Sequence, residues 1–201
     1  MRDGLTTAIV GGGSAIAGGF LSGAYQHLRD HFSRPVLVID FEGGKANKET
    51  SEYKEGDRLV SEIYIRARVR NTGHRVAKGC RVYVTAICEV LASGTTPSRL
   101  HDAKQLGWAG HDFSGLDVPR GVDFYADVVR ISKSDPGWKF SVQRLFASQQ
   151  ELVHYRGTYR FYLLGTADNA DPSTCEIDVT YDGDWHNLRA IRTGSTSKRR
   201  K

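Results

Sequence analysis

The sequence is poor in the residues that most often announce a chemistry. Among 201 residues there are three cysteines, Cys80, Cys88 and Cys175, with no CxxC spacing. An odd count without that spacing argues against a disulfide framework and against a cysteine-built zinc site. Cys88 and Cys175 fall at alternating apolar positions and read as small core residues. No Asn-x-Ser/Thr sequon occurs, and both absences fit a reducing compartment. There is no HExxH and no GxSxG elbow. His27 and His31 are spaced i, i+4 on one helix face, but no acid completes a ligand set beside them. In His101-Asp102 and His111-Asp112 the neighbours point to opposite faces of an extended strand, so neither is an orienting dyad. No catalytic residue and no metal site is identified, no cofactor is expected, and the chain reads as non-enzymatic.

Charge of one sign is also scarce. Lys+Arg is 28 and Asp+Glu is 23, a formal +5. Lys198, Arg199, Arg200 and Lys201 hold four of these charges, leaving +1 over the other 197 residues. The pI near 9.2 therefore reports a tail. A body of balanced charge has no whole-domain field for phosphates, so nucleic acid is not an expected partner. Residues 191–201 are expected to be a flexible basic tail, polar and without apolar anchors from Arg192 onward. Its four cations would each gain about 1 kcal/mol beside anionic lipid. Apolar residues at 39% and aromatics at 10% suffice for a core and exclude wholesale disorder.

What is present begins with glycine. Leu5 to Tyr25 reads LTTAIVGGGSAIAGGFLSGAY, 21 residues without a charge. As a helix it would span about 30 Å, the thickness of a bilayer's hydrocarbon. Gly11, Ala15, Gly19 and Gly23 recur every four residues, a small-residue stripe of the kind that lets membrane helices pack closely. Residues 1–34 are therefore expected to hold a membrane helix that contacts lipid through 5–25 and can self-associate through the stripe. Arg29, Arg34 and Lys45 follow it while only Arg2 precedes it, which places the body on the cytoplasmic side of a single pass. Three alternatives stay open. Ala15-Ile16-Ala17 is a cleavage pattern for a signal peptide. A glycine-rich soluble segment is another. In the third, Thr7 to Val10 is a strand, Gly11-Gly12-Gly13-Ser14-Ala15 a phosphate turn, and Val36 to Asp40 a second strand. This resembles the opening of flavin and nicotinamide enzymes over some 35 residues, with Ile16 standing where their third glycine belongs.

After Pro35 the period becomes two. Val36 to Phe41 is an apolar run of strand length, and Gly43 to Gly56 reads as a charged loop. Ile63, Ile65, Ala67 and Val69 alternate with Tyr64, Arg66, Arg68 and Arg70. Val82, Val84, Ala86, Cys88 and Val90 alternate with Arg81, Tyr83, Thr85, Ile87 and Glu89. A short strand is expected around Leu106. Phe124, Ala126 and Val128, then Tyr159, Phe161 and Leu163, then Cys175, Ile177, Val179 and Tyr181 follow the same rule. Gly, Pro and Asn turns separate these runs. Residues 35–190 are thus expected to form an antiparallel β-sandwich of about seven strands behind one N-terminal helix.

Two motifs in this body look familiar. Arg70-Asn71-Thr72-Gly73, followed by Ala77-Lys78-Gly79-Cys80-Arg81-Val82, resembles the strand–turn–strand step of bacterial Ig-like modules of the CARDB and LEA type. Gly157-Thr158-Tyr159-Arg160-Phe161 resembles the penultimate strand of many Ig-like domains. The resemblance spans roughly 35–185 and implies a module that binds or spaces other proteins, with an unidentified protein as its partner.

Arg66, Arg68 and Arg70 share one strand face, and Arg81 across the following turn is expected to extend them into a basic ladder. Such a face would take an acidic partner or a nucleic-acid backbone. The competing reading is a solvated face paired with Glu62, Glu89 or Asp127.

Overall fold

The computed structural model describes residues 33–44, 47–55, 57–98, 100, 102–133, 138–139 and 156–194. The chain divides into two units, Met1–Arg34 and Pro35–Lys201, and the description below concerns the second. The expected helix over 5–25, its stripe of Gly11, Ala15, Gly19 and Gly23, the glycine turn, His27, His31 and residues 195–201 of the basic tail lie outside the described residues; residues 191–194, expected in the tail, are instead strand, paired with Glu176–Asp178.

The described chain is mainly β and entirely antiparallel within its sheets. Five strands form one sheet: β1 (Leu37–Asp40), β2 (Lys48–Glu55), β3 (Arg58–Asn71), β8 (Asp123–Ser132) and β9 (Trp138–Lys139). Seven form the other: β4 (Ala77–Leu91), β5 (Gly94–Thr95), β6 (Lys104–Gln105), β7 (Leu116–Val118), β10 (Gly157–Ala167), β11 (Ala170–Tyr181) and β12 (Arg189–Gly194). β3 is the spine of the first sheet, with β8 on one edge and β1 then β2 sharing the other. β4 is the spine of the second, flanked by β10 on one side and by β7, β6 and β5 in turn on the other.

Alternation explains the core. Ile63, Ile65, Ala67 and Val69 all point inward from β3 and are buried. They face Val82, Val84, Phe161, Leu163, Cys175, Ile177 and Val179 of the second sheet in one continuous apolar cluster. β-branched residues dominate because they fit a pleated surface buried on one side. The layers are stitched at β1, where the Ile39 N–H donates to Ser173 Oγ on β11 at 3.1 Å. Gly165 on β10 leaves only 3.4 Å between its missing side chain and Leu37, so the strands approach closely there. Trp108 is buried at the β8 side and donates from Nε1 to the Ser114 carbonyl at 3.0 Å.

Three expectations are corrected. Residues 43–56 are not a loop throughout, because Lys48–Glu55 is a strand paired along its whole length with Arg58–Ile65. Its sequence, KETSEYKE, has no apolar face to signal it; backbone pairing holds it, closed by the two-residue link between Glu55 and Arg58. The alternation of 82–90 breaks at a bulge: Leu163 pairs with Val84 but Tyr162 with Ala86, leaving Thr85 over. Ile87, expected outside, therefore turns inward opposite Phe161. A second bulge leaves Val128 over between the pairs Ile65–Val129 and Arg66–Asp127, so Val129 and Ile131 join the core.

Candidate functional site

The β3 arginines stand on the outer face of the first sheet, as period two requires. Their neighbours come from β1, β2 and β8. Register places Asp40 opposite Arg68 on one side and Asp127 opposite Arg66 on the other. Arg66 donates from Nε to Asp127 Oδ1 at 2.7 Å and from Nη1 to Glu49 on β2. Its guanidinium carbon lies 5.0 Å from the centre of the Tyr64 ring. Arg68 grips Asp40 with two hydrogen bonds, Nε to Oδ1 at 2.8 Å and Nη2 to Oδ2 at 3.1 Å. It also meets Glu42 and, at 3.6 Å, Asp123. Arg70 reaches the same Asp40 carboxylate at 3.2 Å.

The ladder continues past the arginines. Tyr64 donates its hydroxyl to Glu62 Oε2 at 2.6 Å, and Arg130 lies 3.8 Å from the same carboxylate. Burial and the Glu62 carboxylate push the Tyr64 phenol up to about 12. Burial raises the Asp127 carboxyl, with Arg66 pulling it the other way. Hydrogen bonding to Asp40 raises the already high basicity of Arg68.

These contacts correct the picture of a basic face. Four guanidinium groups, on Arg66, Arg68, Arg70 and Arg130, meet six carboxylates: Asp40, Glu42, Glu49, Glu62, Asp123 and Asp127. The side chains of Arg66 and Arg68 are 14% and 13% exposed, while Glu49 and Glu42 on the rim are 52% and 58% exposed. At Arg66 and Arg68 solvent therefore meets acid first, while Arg70 and Arg130 are each 39% exposed. Arg81 does not belong to this face. It lies on β4 in the other sheet, where it approaches Asp168 at 3.8 Å. The turn after Asn71 does not fold β4 back against β3; it carries the chain across to the second layer.

A second convergence, which the sequence marked only as a turn, is built on Asn71. This side chain is buried and fully engaged. Its Oδ1 accepts from the Val36 N–H at 3.1 Å and the Gly73 N–H at 2.9 Å. Its Nδ2 donates to the carbonyls of Arg75 at 2.6 Å and Val118 at 3.1 Å. Its backbone carbonyl accepts from Gly121 at 3.4 Å. One amide thus ties together the start of β1, the β3–β4 connection and the β7–β8 connection. The Asn-Thr-Gly turn was the available signal, but its long-range partners are invisible in sequence.

The thiols are inert. Cys80, Cys88 and Cys175 are free and buried. Burial pushes Cys80 and Cys175 up to about 11 and raises Cys88 as well. Among the described residues no group of three or more His, Cys, Asp and Glu is arranged to hold a metal ion, and no helix is long and apolar enough to cross a membrane. The strand that the dinucleotide reading needs in a parallel sheet, 37–40, instead pairs antiparallel with β3.

Compared with known proteins, the chain matches no family model, no curated protein and no solved structure.

Proposed function

We propose that this chain is a non-enzymatic interaction module: an immunoglobulin-like β-sandwich held at a membrane through residues 5–25, with its body on the cytoplasmic side. The observation that carries the interaction reading is the ladder on the first sheet. There the charged side chains of four strands engage one another and form a pre-organised outer surface. Such a surface recognises a partner at little ordering cost, because its rotamers are already fixed. The uncharged run LTTAIVGGGSAIAGGFLSGAY supports the anchor. The unidentified partner is a protein rather than nucleic acid, since carboxylates outnumber guanidinium groups on the arginine face and repel phosphate.

The test is fractionation of the full-length protein with protease added to intact cells or spheroplasts. Carbonate-resistant pelleting with a protected body is expected. A full-length protein that stays in the supernatant without detergent would remove the anchor from this reading.

A further inference from the structure

We infer that β12 is a self-association edge, where two copies of this chain join their second sheets by antiparallel pairing about Ile191. Among the described residues β12 pairs with β11 on one side and with no strand on the other. The carbonyl just before it, on Leu188, accepts from Lys48 Nζ at 2.6 Å, so the open edge starts at Arg189. Such an edge presents a row of backbone donors and acceptors that templates a further strand. The other edge of this sheet is blunted, being shared by β5, β6 and β7, of two or three residues each. Ile191, near the middle of β12, is 61% exposed, the highest value among the large apolar side chains described. An open edge and an uncovered isoleucine at one place mark a contact.

Self-complementarity selects a second copy as the occupant. A two-fold axis normal to the sheet sets one residue of each strand opposite itself and the rest in reciprocal pairs. Centred on Ile191, the two isoleucines cover each other, Arg189 meets Thr193 and Arg192 meets Ala190. No arginine opposes an arginine, and each pair shares a face. Register with β11 puts Arg189 and Ile191 on the outer face, opposite Thr180 and Asp178, and Ala190 and Arg192 on the inner face, opposite Val179 and Ile177. Thr193 joins the outer set, its hydroxyl donating to Asp178 Oδ1 at 3.3 Å. The long edge strand β2 fails the same test. A two-fold at Ser51 opposes Lys48 to Lys54, and one at Glu52 opposes Glu52 to itself and Glu49 to Glu55. Charge beyond β12 agrees with the pairing. Counted past Gly194, Lys198 falls opposite Asp184 of the second copy and Arg200 opposite its Asp182. Both carboxylates are exposed. The turn holds them in place: Asp182 accepts from the Asp184 N–H and from Asn187 Nδ2, each at 2.9 Å, and Asp184 accepts from the His186 N–H at 2.9 Å. Arg156 is the cation already near Asp182, so this turn still favours further positive charge.

The test uses the full chain with single introduced cysteines, the native thiols being buried. Opposed residues of an antiparallel pair lie about 4.5–5.5 Å apart at Cα, within reach of a disulfide. With diamide as oxidant, Ile191→Cys should form a covalent dimer under conditions where Leu91→Cys, at a site 47% exposed on β4, does not. Arg189→Cys alone should not cross-link, whereas Arg189→Cys mixed with Thr193→Cys should. Adding Lys198→Gln and Arg200→Gln to Ile191→Cys should slow the reaction about five- to ten-fold, four exposed ion pairs being lost across the two copies. An unchanged rate there overturns the tail's part in the contact. Cross-linking at 191 no faster than at 91 overturns the inference and leaves the edge to a strand of another protein. Equal cross-linking at 191, 189 and 91 overturns it as well, since crowding through residues 5–25 then accounts for the encounter. The inference does not depend on the membrane anchor: a supernatant protein that cross-links at 191 alone removes the anchor and leaves this edge standing.

Discussion

Arg68 and Asp40 form a two-pronged pair between β3 and β1, with nitrogen–oxygen distances of 2.8 and 3.1 Å and an Asp40 side chain only 4% exposed. Asp40 serves Arg70 as well, at 3.2 Å. Removing one partner of such a pair strands a buried charge, whereas removing both with apolar replacements does not. Asp40→Ala should therefore destabilise the protein by about 3 kcal/mol. Asp40→Leu combined with Arg68→Met should lose clearly less. Urea unfolding of the three proteins checks this, and a double variant as unstable as Asp40→Ala would refute it.

Asn71 is the hub of one end of the body, and its amide makes four hydrogen bonds there. Asn71→Ala leaves buried backbone groups without partners, each costing about 1–3 kcal/mol. A loss of roughly 3 kcal/mol is expected by chemical denaturation. Hydrogen exchange should show the amides of Val36 and Gly73 losing protection before those of the β4–β10 ladder.

Gly79 holds a left-handed backbone, φ +58°, and a side chain there would begin 2.4 Å from Asp168 Oδ2. Gly79→Ala should cost about 1–3 kcal/mol, from the backbone conformation and from displacing the carboxylate. Adding Asp168→Ala relieves the second contribution alone. The double variant should recover part of the loss, and a thermodynamic cycle measures how much.

The thiols give a pH dependence whose sign is fixed by their burial. Cys80 and Cys175 titrate near 11 in the fold, above the ordinary thiol value. The unfolded chain therefore loses these protons first as pH rises. Stability is unaffected below about pH 8.5 and falls as pH climbs from there toward 11. At pH 8 only about one such thiol in a thousand is ionised. Iodoacetamide should label the native protein very slowly at that pH and label all three cysteines once urea is added, as mass spectrometry would show.

Strands with one buried face were legible from sequence because their apolar residues recur with period two. Ile63 to Val69 and Cys175 to Tyr181 follow that rule without interruption. Lys48–Glu55 was not legible, because a strand that buries neither face leaves no such record. The bulges at Thr85 and Val128 were hidden for another reason: an extra residue has meaning only against a partner strand. The arginine face shows the same limit. Sequence placed Arg66, Arg68 and Arg70 on one side of a strand, and period two sufficed for that. Of the acids the sequence offered as partners, Asp127 does pair with Arg66 and Glu62 lies on the same face, whereas Asp40 and Glu49 come from strands whose order sequence does not state. Arg81 was misplaced because a turn can return a strand to its own sheet or carry it to the next, and local residues do not distinguish the two.

The two long spines also set when this chain can fold. The outermost β3–β8 pair joins Glu62 to Ser132, 70 residues apart, and β4–β10 joins Arg81 to Thr166, 85 apart. Loops of that length close slowly, so the rate is governed by distant encounters rather than by the β2–β3 and β10–β11 hairpins, which form first. During synthesis β4 has no long partner until residues near Ala167 have left the ribosome. Until then an unpaired, valine-rich strand awaits its mate, and translation speed through 92–167 decides how long it is open to chaperones or to misassociation.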